Sequence, residues 1–409
     1  MPTHLDALLS VGLFPGLSPA ELAKKMGKKP VLYASLFQTL KKLGKENLIQ
    51  KKNKGYFLAE NQKAKTLFWL LQYCFKNSIN YNGIVSQKTA QFALLGMEKG
   101  AIKEMPFEAK TVKKISSNLA RHGFAVIDSK KPFSCRIVHS FFMERLVEYF
   151  SQKPKTMHKD FTEGLNEKQL DNRLEKEFSA FKKIAKKMPE LDEIAFIHSS
   201  LSLEGNTLTL PETEKIIKQN IAPASKPFKD AQEALDYKKA LDNFAFSGAK
   251  LDLENVLEFH RTAMNSMATG AGKIREQNVR IKGNPEFKTP NWQEVPKLLE
   301  EFFLKAKEFH QQKKQAASQI IEHASFLHSE FQRIHPFVDG NSRTARAIFT
   351  KILLEKGFPI VKIQVGFFDQ YMSLAKLSKK RGDKKFAHLM KQITLENLKQ
   401  AKTKIEYGQ

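Results

Sequence analysis

Cysteine is scarce. The 409 residues hold only two, Cys74 and Cys135, and there is no Cys-x-x-Cys pair. That argues against a disulfide scaffold and against a zinc ribbon, and buried free thiols in a reducing cytoplasm are expected. Other metal spacings are missing too. There is no His-Glu-x-x-His, and His323 and His328 are five apart, which does not put them on one helix face. A Walker A loop is also absent. Gly270-Ala271-Gly272-Lys273 comes near, but Met267 and Ile274 occupy the places where that loop needs Gly and Ser or Thr. The most apolar run, Thr66 to Phe75, is far too short to span a bilayer. The first residues lack a basic segment followed by an apolar run, so no secretory leader is expected, nor a membrane partner, and a cytoplasmic location is. Acidic residues are the minority, 43 Asp and Glu against 68 Lys and Arg, for a formal charge of +25. Such an excess suits nucleic acid or acidic partners, and it equally suits a lysine-rich surface with no such partner. Apolar residues are not lacking. At 41% hydrophobic, the chain is long and apolar enough for two or three domains with real cores.

The densest chemistry runs from His335 to Arg346, His-Pro-Phe-Val-Asp-Gly-Asn-Ser-Arg-Thr-Ala-Arg. Before it, Phe326, Leu327, Phe331 and Ile334 keep helix-face spacing. Pro336 biases His335 away from helical dihedrals, so the helix is predicted to stop there. Gly340 and Asn341 tolerate left-handed backbone, as a tight turn needs. A second helix is predicted from Asn341 or Ser342, because Ala347, Ile348, Ile352 and Leu353 resume the apolar spacing. Its first turn carries Arg343 and Arg346 on one face. A helix N-terminus disfavours cations there. An anion between the two arginines, on the free N–H groups of the turn, removes the conflict. Asp339 offers the hard oxygen that Mg²⁺ takes in phosphate sites. His335 is a candidate base within reach of the same space. Base, metal ligand, anion nest and two arginines on one loop suit phosphoryl or nucleotidyl transfer. A polar loop capping two core helices explains each residue singly but not the set.

This stretch resembles the signature of Fic (Fido) domain proteins, His-x-Phe-x-Asp/Glu-Gly-Asn-x-Arg-x-x-Arg, at every fixed position. Ser342 stands at a variable position, where Gly or Lys is commonest, and is expected to tune phosphate placement. The resemblance covers roughly residues 190–395. It implies an all-helical core with a β-hairpin flap, and a protein adenylyltransferase. Such an enzyme moves AMP from Mg-ATP to a Ser, Thr or Tyr hydroxyl of a protein target, itself included. By resemblance, His335 is the base and Asp339 holds Mg²⁺. Gly340, Asn341 and Ser342 cradle phosphate, and Arg343 and Arg346 neutralise the β- and γ-phosphates. Tyr371 falls where an aromatic often lies near adenine. The Asn that often holds the base has no evident counterpart, and Lys379 and Lys380 occupy its neighbourhood. Base specificity therefore stays open, with transfer of UMP or phosphocholine as alternatives.

Ser200 to Asn206, Ser-Leu-Ser-Leu-Glu-Gly-Asn, resembles the family's inhibitory motif, Ser/Thr-x-x-x-Glu-Gly/Asn. The resemblance implies a pair between Glu204 and Arg346. A carboxylate there competes with the γ-phosphate by charge and by volume. An ordinary helix cap at Gly205 is the plainer alternative. In some relatives this Glu serves removal of AMP by water, so the net direction is open. Residues 275–283 alternate like a strand ending in a turn. They resemble the flap that covers the nucleotide and aligns the target by strand addition, with Ile281, Lys282, Gly283 and Asn284 as its candidate residues. A plain surface hairpin is the alternative.

Residues 1–60 read as a winged helix. Ser18-Pro19-Ala20-Glu21 is a capping box, a second helix is predicted from Pro30, and Leu48 to Leu58 reads as a hairpin with a basic tip. That order is a DNA-reading arrangement, although many such domains only bind protein. Residues 61–155 are expected to form a second winged-helix-like or helical domain. Its predicted parts are a helix over Thr111–Arg121, strands near 124–128 and 134–138, and a helix over Phe141–Phe150. Residues 156–189 are assigned to a linker and helix, 190–395 to the catalytic domain, and 396–409 to a helical tail. The expected class is mainly α, with α+β winged-helix-like parts in front. The expected partners are ATP, a protein target, DNA through residues 1–155 and a second copy in a homodimer. The alternative function is a DNA-binding regulator whose Fic part is a sensor.

Overall fold

A computed structural model describes the chain except residues 1–2, 27–32, 103–106, 152–165, 186–190, 225, 282–286, 313, 376–382 and 408–409. The helix start at Pro30, Lys282, Gly283, Asn284, Lys379 and Lys380 lie outside the described residues, as do 156–165 and 186–189 of the linker and helix stretch. The chain divides into two compact units, Met1–Lys159 and Asp160–Gln409.

The first unit begins with α1 (His4–Leu13), α2 (Pro19–Lys25) and α3 (Tyr33–Lys45), followed by β1 (Ile49–Lys52) and β2 (Gly55–Leu58). The capping box at α2 forms in both directions between Ser18 and Glu21. On α3, Leu36, Leu40 and Leu43 are buried at spacings of four and three, while Lys41, Lys42 and Lys45 are exposed. β1 and β2 are antiparallel with Lys52 opposite Gly55, and Asn53 at the tip takes a left-handed backbone. Gly16 donates to the Tyr56 carbonyl at 2.8 Å, and the Tyr56 N–H donates to Leu17 at 3.1 Å. The segment before α2 thus lies along β2 like a third strand.

Next come α4 (Gln62–Lys76), α5 (Tyr81–Ile84), α6 (Gln87–Lys99), β3 (Ala101–Ile102), α7 (Ala109–Arg121), β4 (Ala125–Lys130), β5 (Phe133–Ile137) and α8 (Phe141–Ser151). The antiparallel sheet has the order β3-β5-β4. Two-residue β3 is too short to alternate, so periodicity gave no sign of it. Arg136 grips Asp128 across β4 and β5 with two bonds of 2.8 Å. Cys74 and Cys135 are both buried and form no disulfide.

The second unit is helical among its described residues. It comprises α9 (Glu167–Ile184), α10 (Leu191–Leu203), α11 (Leu210–Gln219), α12 (Phe228–Asn243), α13 (Leu253–Ala263), α14 (Val295–Gln311), α15 (Ala317–Ile334), α16 (Asn341–Glu355), α17 (Phe368–Ala375) and α18 (Asp383–Tyr407). α16 is the central helix, buried at nearly every position from Asn341 to Leu353. It packs antiparallel-wise against α15 through the loop 335–340, and α9 and α18 cover α15. α18 runs unbroken through residue 396. Its end is held by Lys402 on Glu177 and Lys404 on Asp192.

The alternation at 275–283 does not produce a strand over its described residues 275–281. Their polar groups bond elsewhere. The Val279 carbonyl accepts from Thr289 Oγ1, the Gln277 carbonyl accepts from Arg275, and Pro290 has no N–H to give. No described helix is long and apolar enough to cross a membrane.

Candidate active site

α15 ends where Pro336 requires it. His335 caps the helix with φ 51° and ψ 58°, and its N–H still donates to Phe331 at 3.0 Å. Histidine is among the few side chains that enter this region with any frequency. The His335 ring places Nδ1 3.2 Å from the Gln332 carbonyl. A carbonyl only accepts, so Nδ1 carries the proton and Nε2 keeps its lone pair. Burial lowers the His335 pKa to about 4, with Arg275 acting in the same direction. The imidazole is neutral at pH 7, as a base must be.

Three braces shape the loop that follows. Asn341 reaches back to Phe337, accepting its N–H at 2.9 Å and donating to its carbonyl at 2.8 Å. Phe337 is buried and stacks on His260, with ring centroids 3.6 Å apart. His260 Nδ1 accepts the Gly272 N–H at 2.8 Å, so its Nε2 carries the proton and donates to the Asp339 carbonyl at 2.8 Å. Burial drives His260 to about 4, which keeps that pattern fixed. Gly340 turns the chain at φ 81°. A side chain there would also meet Met264 Sδ at 2.8 Å and His260 Nε2 at 2.9 Å. α16 then starts without a side-chain cap, and its first N–H groups, at Asn341, Ser342 and Arg343, have no partner one turn back.

Each signature arginine meets a carboxylate. Arg346 is 3% exposed. Its Nε donates to Ser200 Oγ at 2.8 Å, and its Nη2 donates to the Ser200 carbonyl at 3.0 Å and to Glu204 Oε1 at 2.6 Å. Burial disfavours the Arg346 charge, yet Glu204, with Tyr371 and Tyr237 behind it, together more than offset this and raise its pKa. Glu204 sits just past the end of α10, where Gly205 turns left-handed at φ 94°. Arg343 is buried as well. Its Nη2 is 2.8 Å from Glu233 Oε1, an ion pair rather than an aligned hydrogen bond, and its Nη1 approaches Met264 Sδ. Asn206 donates to Glu233 Oε2 at 2.8 Å, so residues 204–206 touch both pairs. Burial raises the Glu233 pKa, and Arg343 opposes that.

Asp339 and Ser342 stay on the loop, Tyr371 lies against Arg346, and Ile281 lies on the 275–281 segment. The Asp339 carboxylate is 60% exposed, accepts the Gly340 N–H at 2.6 Å and lies 4.0 Å from Arg343. Ser342 Oγ accepts from Gln332 at 3.0 Å. Tyr371 is buried beneath the site, with its hydroxyl 2.8 Å from His328 Nε2. Ile281 is partly exposed on the segment preceding the undescribed residues 282–286. Sequence reasoning missed Glu233, His260 and Arg275. His260 and Glu233 lie on helices whose apolar spacing gives no reason to single them out. Asn206, inside the quoted motif, was the one pointer toward Glu233.

Residues 250–353 match the Fic/DOC family. Similar curated proteins include protein adenylyltransferase fic-1 of Caenorhabditis briggsae, 28% identical over 177 residues, which are 42% of this chain and 33% of that protein. Protein adenylyltransferase Fic of Drosophila grimshawi is 25% identical over 206 residues, 49% of this chain and 41% of that protein. The chain therefore spans between a third and about two-fifths of the length of these relatives. Among solved structures, Fic-1 (aa134–508) from C. elegans matches with a TM-score of 0.50 over 79% of this chain and 94% of that one. At 15% identity this is a likeness of fold.

Proposed function

We propose that this chain, a Fic/DOC family protein through residues 250–353, is a protein adenylyltransferase held at rest by Glu204. The names of its curated relatives support the reaction class. The observation that carries the reading is the 2.6 Å bond from Arg346 to Glu204, next to a loop that also holds a neutral histidine and an uncapped helix start.

The target hydroxyl oxygen attacks the α-phosphorus of ATP. The bond from that phosphorus to the bridging oxygen breaks, and pyrophosphate leaves. His335 Nε2 takes the hydroxyl proton. The first N–H groups of α16 receive phosphate oxygens, with Gly340 and Ser342 shaping that turn. The Asn341 side chain, bonded on both sides to Phe337, keeps the turn in shape. Arg343 and Arg346 balance the charge that collects on the β- and γ-phosphates. Arg346 does so only after Glu204 withdraws, because carboxylate and phosphate need the same donors.

Asp339 fits a magnesium ligand. Its exposed carboxylate has one oxygen on the Gly340 N–H, leaving the other for a cation. Among the described residues no group of three or more His, Cys, Asp or Glu could hold a metal alone. One carboxylate with phosphates and waters is how Mg²⁺ is commonly bound. When bound, the ion would draw charge from the phosphates.

The test uses ATP labelled at the α- or the γ-phosphate, with Mg²⁺ and the Glu204→Gly protein. Label entering protein from the α position only supports adenylyl transfer. Label from the γ position means phosphorylation and sinks the reading, and preference for another nucleotide redirects it.

Charge favours a second activity in the first unit. Residues 1–159 hold 27 Lys and Arg against 10 Asp and Glu. Lys41, Lys42 and Lys45 on α3 and Lys51, Lys52 and Lys54 on the hairpin are exposed. Duplex DNA is the partner such a helix and hairpin suit. Binding that does not weaken as salt rises would count against it.

A further inference from the structure

Arg275 is 2% exposed, yet among the described residues no carboxylate pairs with it. Its charge is met by backbone carbonyls from three separate stretches. Nε donates to His335 at 2.8 Å, Nη1 to Gln277 at 2.9 Å and Nη2 to Pro290 at 2.7 Å. Its own N–H donates to the Pro336 carbonyl at 2.9 Å. One residue thus grips the two successive peptide units that follow His335, 335–336 and 336–337. The same guanidinium holds residues 277 and 290, which flank the stretch expected to cover the nucleotide. A buried cation without a carboxylate needs hydrogen bonds on its nitrogens; here each of the three guanidinium nitrogens makes one, and a planar fork can reach three separated acceptors. An ammonium concentrates its donors at one point and cannot.

We propose that Arg275 is a positioning residue: it holds the His335 peptide so that the ring keeps Nδ1 on Gln332 and Nε2 toward the target, and it fastens Gln277 and Pro290 to the same point. This rests on the adenylyltransferase reading for its effect on rate, but its geometry stands without it.

The test combines two readouts on full-length protein carrying Glu204→Gly, alone or with Arg275→Ala or Arg275→Lys. The first is the ring-nitrogen NMR signature of His335, identified by its loss in His335→Ala. The second is the labelling rate from α-labelled ATP against ATP concentration. The parent should show a fixed Nδ1–H form. Arg275→Ala should average the two ring forms and lose about a hundredfold in kcat with KM for ATP near the parent value. Arg275→Lys, which keeps the charge without the fork, should recover only a small part, and it remains the deciding variant should Arg275→Ala not fold. An unchanged His335 signature in either variant overturns the proposal, as does a loss that appears wholly in KM. If the parent itself takes no label, the adenylyltransferase reading fails, and the His335 signature alone still decides the role of Arg275.

Discussion

Residues 1–159 and 160–409 treat charge in opposite ways. The first unit carries most of the excess, 17 of the +25, and among its described residues no Lys, Arg, Asp or Glu is buried. The second unit is nearer balance, 41 Lys and Arg against 33 Asp and Glu, yet it holds all the buried ones, including Glu233, Arg275, Arg343, Arg346, Lys351 and Lys391. Burying a charge is costly unless it is paired and bonded. A unit that keeps charge outside uses it for solubility and long-range attraction. A unit that encloses paired charges sets up strong local fields where chemistry can use them. Four of those buried charges are the two arginines of the loop 335–346 or groups that touch it, Glu233 on Arg343 and Arg275 on His335.

The sharpest way to break this contrast is at the loop. His335→Ala in the Glu204→Gly protein should lower labelling by about 10²–10⁴-fold, measured as initial rate, with little change in thermal unfolding. A comparison of ion pairs comes next. Glu233→Gln leaves Arg343 buried without its carboxylate and should cost about 3–5 kcal/mol by denaturant unfolding. Glu148→Gln, which removes the exposed partner of Arg145 in the first unit, should cost no more than a few tenths, about 0.3 kcal/mol. Equal costs would erase the distinction between the units.

Acid should separate the units in the same sense. His335, His260 and His323 are lowered to about 4 and His328 to about 3, each chiefly by burial, and all lie in the second unit. Below pH 6.5 the unfolded chain takes up protons that the folded unit refuses, so stability is full above that pH and falls as pH drops toward 4. In the first unit His4 is lowered too, though it is far less enclosed. The chain's two tryptophans, Trp69 and Trp292, report one unit each. Trp292 fluorescence should therefore lose its transition temperature faster than Trp69 fluorescence on going from pH 7 to pH 5. The smallest effect expected is on salt dependence. Lys51→Glu, Lys52→Glu and Lys54→Glu together should flatten the slope of log K for duplex DNA against log salt by about 3, leaving labelling untouched.

The loop 335–346 was legible because it is local. His335, Pro336, Gly340 and the resumed spacing after Asn341 dictate a helix stop, a turn and a helix start within a dozen residues. Glu204 was legible only through its resemblance to a motif, since nothing in α10 itself points across the fold to Arg346. Glu233 and Arg275 were not legible. Their partners lie 110 and 60 residues away, and a buried Glu or Arg on a polar helix or loop looks like a surface residue until the fold closes over it. The strand expected at 275–283 failed over its described residues 275–281 for a related reason. Its alternation is real, but the carbonyls that a ladder needs are taken by Arg275 and Thr289. In the first unit α2, α3, α7, α8 and the hairpins followed from capping and apolar spacing; α1, α4, α5 and α6 were not singled out, and β3 was too short to leave a pattern.

The most direct measurement compares protein-bound label from α-labelled ATP in three proteins: unaltered, Glu204→Gly, and Glu204→Gly with His335→Ala. The account expects weak label in the first, strong label in the second and none above background in the third. Equal labelling of the first two would mean that the Glu204–Arg346 bond does not restrain the site, and undiminished label in the third would mean that His335 is not the base.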